Sequence, residues 1–162
     1  MNAHFESLLK QLLIACQTYY AKRLISLIVF GSVGRGTPRA DSDIDFLIVA
    51  EPLPNGRMAR VTEFQAVEKF LALDLARARA AGLSIELSPI FKTPEQAQLG
   101  SPLFLDMIDD GVILYDRDNW MRQTLDQFKL RLQKLGARRI WRGNAWFWDL
   151  KPDYQTGEVF EL

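Results

Sequence analysis

Two short apolar runs, "LISLIVF" at 24–30 and "FLIVA" at 46–50, stand on either side of "GSVGRGTPRADSDID", which gathers three glycines, two arginines and three aspartates. Runs of this length, rich in Val and Ile and closed by Gly or Pro, read as buried strands rather than helices. The segment between them has room for a tight turn and about one helical turn. So much flexibility and opposed charge is a poor way to build a core, and the segment reads as a site.

The flanking sequence supplies the layers that bury those strands. Phe5, Leu8, Leu9, Leu12, Leu13, Cys16, Tyr19 and Tyr20 recur at helical spacing, which predicts an amphipathic helix over 3–20. Strands are predicted over 24–30 and 43–50, and the loop "EPLPNG" follows the second. Val61, Phe64, Val67, Leu71 and Leu75 mark a long helix; "LSIELSPI" at 83–90 reads as a third strand and "VILYD" at 112–116 as a fourth. Between these two, "TPEQAQLGSPLFLDMI" is helical in two pieces, and Met121, Leu125, Phe128, Leu132 and Leu135 share one face of a last helix that stops at Gly136. Strands alternating with helices imply an α/β (α+β) layer structure, a small mixed sheet flanked by helices. At 162 residues the chain is expected to form a single domain over 1–162, with a core of about 20–115 and a C-terminal helix and tail over 118–162.

Composition removes several functions. The only cysteine is Cys16 and the only histidine is His4, so a disulfide, a Cys/His zinc site and a histidine-based triad are all unavailable within one chain. A metal here is held by oxygen. Twenty basic and twenty acidic residues cancel to a formal charge of zero, which argues against a general nucleic-acid binder. No long apolar run and no leader-like N-terminus is present, so no membrane contact is expected and the sequence reads as cytoplasmic.

The glycine turn lacks the lysine of a P-loop, since Thr37-Pro38 follows Gly36, and its glycines miss the dinucleotide spacing. What remains is a strand-end turn whose bare N–H groups and Ser32 hydroxyl can hold an anion, with Arg35 or Arg39 adding charge. Asp43 and Asp45 are two apart at a strand start, so both side chains leave from one face. At about 5 Å and an effective dielectric near 20 their repulsion is about 3 kcal/mol, which a hard divalent ion such as Mg2+ relieves. Glu86, on the polar side of "LSIELSPI", is the preferred third oxygen ligand over Asp109 and Asp110, which read as a helix end and turn.

With these residues in view, "GSVGRGTPRADSDIDFLIV" resembles the signature of the polymerase-beta nucleotidyltransferase superfamily, most nearly its minimal nucleotidyltransferases. The resemblance implies a polymerase-beta-like fold, a triphosphate grip by Gly31 and Ser32, Mg2+ held by Asp43, Asp45 and Glu86, and a phosphate contact by Arg35. It implies ATP as the nucleoside triphosphate donor, with Glu86 able to take the acceptor proton. A chain with this core and no separate acceptor domain is also similar to the antitoxin half of HEPN and minimal nucleotidyltransferase pairs. That similarity implies transfer of AMP to a tyrosine of a partner HEPN toxin. A small-molecule transferase of the aminoglycoside type, its acceptor wall completed by a homodimer, and a non-catalytic binding antitoxin are the alternatives. The tail "ARRIWRGNAWFWDLKPDYQTGEVFEL" reads as a wrap over its own domain, as a docking surface for a protein partner, or as a platform on which RNA bases stack.

Overall fold

The computed structural model describes residues 3–143 and 145–162, so Asn144 of the aromatic tail lies outside the described residues. Four strands form a mixed sheet in the order β3-β2-β1-β4. Strand β1 (Leu24–Phe30) lies antiparallel to both β2 (Ile44–Ala50) and β4 (Val112–Asp116), and β2 runs parallel to β3 (Leu87–Lys92). The two central strands are apolar apart from Ser26 and Asp45, because both of their faces are covered.

The faces divide by strand parity. On one, Leu27, Val29, Ile44, Phe46 and Ile48 pack against α1 (Ala3–Tyr20) and α3 (Arg57–Ala80), which contribute Leu8, Leu12, Cys16, Phe64, Val67 and Leu71. Cys16 is fully enclosed, and burial pushes its thiol up to about 12, which makes it a packing residue. On the other face Ile28, Phe30, Leu47 and Val49 meet α5 (Trp120–Lys134) and the 3-10 turn Pro102–Asp106. There Phe104 and Phe128 stand edge to face at 5.6 Å. The short α4 (Pro94–Gln98) starts on a Thr93 and Gln96 capping box. Asp116 joins the layers: its carboxylate accepts from the buried Ser26 hydroxyl at 2.7 Å and from the Met121 and Arg122 N–H groups at the start of α5.

One expectation needs correction. The strand expected over 83–90 begins only at Leu87, because β2 itself begins at Ile44 and residues 83–86 run beside a loop: Ser84 N–H donates to Ala40 O and Ile44 N–H to Glu86 O. The alternation still holds, with Leu83 and Ile85 buried and Ser84 and Glu86 exposed. The tail forms a hairpin of β5 (Arg138–Arg142) and β6 (Ala145–Asp149). Trp148, Leu150 and Leu162 pack on the second core, whereas Trp141 and Phe147 face outward. Arg139 ties the hairpin down, its guanidinium 4.0 Å from the Trp146 ring centre and its Nη2 2.9 Å from Asp110 Oδ2.

Candidate active site

The single helical turn α2 (Gly31–Gly34) leaves directly from the end of β1. Arg35, Gly36 and Thr37 N–H groups close it on the Gly31, Val33 and Ser32 carbonyls at 3.1, 3.0 and 2.9 Å. Val33, buried in the first core, fastens the turn, while Ser32 stays half-buried and Arg35 exposed.

Gly31 meets two demands that only glycine satisfies. Its φ is +67°, and a Cβ there would collide with Asp45 Oδ2. The backbone of the turn therefore lies against the carboxylate of β2, and the register places Asp45 between Phe30 and Ser88. Gly34 is confined as well: a Cβ would stand 2.9 Å from Asp110 O and 3.0 Å from Val29 O.

Asp45 is half-buried, and its carboxyl is held above the usual carboxylate range. Burial is the main cause, with repulsion from Asp43 and Asp106 adding to it, while the Ser88 hydrogen bond and the Arg35 charge pull the other way. Asp43 lies one residue before β2 and is exposed. Glu86 is exposed too and immediately precedes β3; carrying the pairing of Ile44 with Leu87 back by one residue sets it beside Asp43, on the same parity as Asp45 and Ser88.

Asp109 and Asp110 are engaged elsewhere. Asp110 pairs with Arg139, and Asp109 lies 3.5 Å from Lys129 Nζ and 3.8 Å from Arg139 Nη1. Ser88 and Asp106 were missed by sequence reasoning. Ser88 shares Glu86's alternation and was within reach of it, but Asp106 arrives by tertiary packing of the 3-10 turn and has no local signal.

Among the described residues, no three His, Cys, Asp or Glu side chains are placed to hold a metal ion together. The donor set is nonetheless the one a magnesium ion takes: hard oxygens only, one half-buried acid whose charge is opposed by its neighbours, and an open side. Mg2+ is usually held by one or two carboxylates together with substrate phosphates.

Residues 9–98 match the nucleotidyltransferase domain family. A Methanocaldococcus jannaschii protein named as a protein adenylyltransferase is 32% identical over 131 residues, which cover 80% of this chain and 84% of that protein. Among solved structures, a toxin-antitoxin with AMP-PNP aligns with 17% identity and a TM-score of 0.45, over 79% of this chain and 92% of that one. An MntA-HepT toxin-antitoxin structure aligns with 12% identity and a TM-score of 0.41, over 81% and 92%. No helix among the described residues is long and apolar enough to cross a membrane. With the glycine turn seated on the strand-borne acid, and with the family match spanning both, the chain belongs to the nucleotidyltransferase domain family and is an enzyme of that type.

Proposed function

We propose that this chain transfers AMP from ATP to a protein hydroxyl, a tyrosine of a HEPN-type toxin encoded nearby, and so acts as the antitoxin of the pair. The observation that carries the reading is the contact of Gly31 with the Asp45 carboxylate, which puts an anion-holding turn and an acid pair in one place. The 32% identical relative named as a protein adenylyltransferase favours a protein acceptor over a small molecule. A donor of this kind also suits a cytoplasmic setting.

In this mechanism the N–H groups and hydroxyl of Gly31 and Ser32 hold triphosphate oxygens, and Arg35, exposed beside the turn, adds a charge-assisted contact. Asp43 and Asp45 are the residues that would hold Mg2+, with Glu86 completing the set. When bound, the ion would offset the triphosphate charge and stabilise the departing pyrophosphate. Glu86, exposed beside Asp43, accepts the proton of the incoming hydroxyl.

Calorimetric titration of ATP with Mg2+ and with EDTA, followed by transfer of labelled AMP to the neighbouring gene product, tests the reading. A clear gain in ATP affinity with Mg2+ and label on a tyrosine are expected. Equal affinity in both buffers would sink the magnesium assignment, and labelling of an aminoglycoside instead of the protein would favour the small-molecule alternative.

Glu86 and Asp106 are the two acids available beside the pair, and substitution separates them. Glu86→Gln is expected to slow transfer about a hundredfold, the lower range for loss of a general base, and Asp106→Asn only a few-fold. The reverse order would move the third carboxylate role to Asp106.

A further inference from the structure

A cavity of about 490 Å³ lies at the outer edge of β3, between the start of α3 and α4. It lies further along the strand that carries the acid site: Pro89 in its wall follows Ser88 and leaves the strand on the opposite face, and Phe91, opposite Ile48, lies about 10 Å beyond Ser88, which is opposite Asp45. Its volume lies within the range of small-molecule sites.

Two arginines line it, and neither has a carboxylate partner among the described residues. Arg60 is only 8% exposed. Its Nε donates to Pro54 O at 2.8 Å, and its Nη1 to Phe91 O at 3.1 Å and Gln96 Oε1 at 2.8 Å. Those bonds orient the guanidinium but leave its charge uncompensated, and Nη2 donates to no described residue. A buried cation without a counter-charge is costly, and the usual remedy is an anion.

The start of α3 sharpens this. Gly56 caps the helix without a side-chain acceptor, and the first turn of a 24-residue helix holds no acid. Arg57 stands there instead, at the end where the helix dipole disfavours a cation. An uncapped helix start, Arg57 and the buried Arg60 thus surround the cavity with donors, while Ile90 and Phe91 supply an apolar wall.

The geometry points to a second ligand site here, for a small phosphomonoester carrying a flat or apolar group. The helix start, the exposed Arg57 and the Nη2 group that Arg60 keeps free are donors suited to the oxygens of a phosphate. The apolar wall selects for a body beyond the phosphate.

The test is titration of the full chain with phenyl phosphate in EDTA, which keeps magnesium-dependent binding out of the measurement, with inorganic phosphate and benzoate as comparison probes. Saturable binding and a rise in Tm are expected with phenyl phosphate, weaker binding with the other two. Arg57→Glu, on an exposed first turn, should raise the Tm of the free protein and weaken phenyl phosphate at least tenfold. Arg60→Lys keeps the charge but loses the Nη2 donor, and should weaken it several-fold in a protein with an unchanged circular dichroism spectrum. Ser32→Ala should leave binding as it is. Absence of saturable binding, unchanged binding in the two arginine variants, or a loss confined to Ser32→Ala would each overturn the site. Tighter benzoate than phenyl phosphate would overturn the phosphate class.

Discussion

Asp45→Asn is expected to lower AMP transfer about a thousandfold while raising the Tm of the metal-free protein. The rate loss corresponds to about 4 kcal/mol of transition-state stabilisation, the scale on which a displaced metal ligand acts. The gain in stability has a separate origin. Asp45 is half-buried and repelled by Asp43 and Asp106, so its native carboxyl binds a proton more tightly than an unfolded one. Above the unfolded pKa the charged form therefore works against folding, and the uncharged Asn removes that penalty while keeping the shape and a Ser88 partner. Single-turnover transfer and thermal melting in EDTA, measured on one preparation, check both halves. A lower Tm with transfer intact in the remaining folded protein would make Asp45 a structural residue.

Gly31→Ala should combine two penalties that the neighbouring turn position separates. At φ +67° any other residue costs about 1–2 kcal/mol, and the added methyl also strikes Asp45 Oδ2. Gly36 has φ +73° and open space around it, so Gly36→Ala carries the backbone cost alone. Both variants should lose stability, but only Gly31→Ala should lose transfer, by about a hundredfold, because it displaces the acid on which the site is built. Equal transfer losses would mean that the turn's backbone conformation, not its contact with Asp45, is what the chemistry needs.

How much of this was legible in the sequence depends on where the signal resides. The first strand was readable to the residue, because 24–30 is apolar but for Ser26 and is closed by Gly31, and 112–116 was readable as well, an apolar run opened by Gly111 and ended by Asp116. Glu86 was assigned the correct alternation but not the correct element: periodicity reports which way a side chain leaves, whereas the pairing that defines a strand depends on where β2 begins. The hairpin was within reach, since "RRIWR" and "AWFWD" are strand-like runs separated only by Gly143-Asn144. Arg60 and Asp106 were not. An arginine in the first turn of a helix and an acid after "PLFL" look like solvated charges until the fold buries one and carries the other to Asp45.

Pro89 has a further effect through its position on β3. The Ile44 bond to Glu86 O turns the even-numbered residues of this strand toward β2, so Leu87, Pro89 and Phe91 offer their backbone groups outward. Proline has no N–H to offer, and Arg60 already occupies the Phe91 carbonyl. An incoming strand would find two donors where three are needed and one acceptor already engaged. This border of the sheet is thereby blunted against edge-to-edge stacking of misaligned copies, a protection against aggregation that uses neither a bulge nor a covering helix.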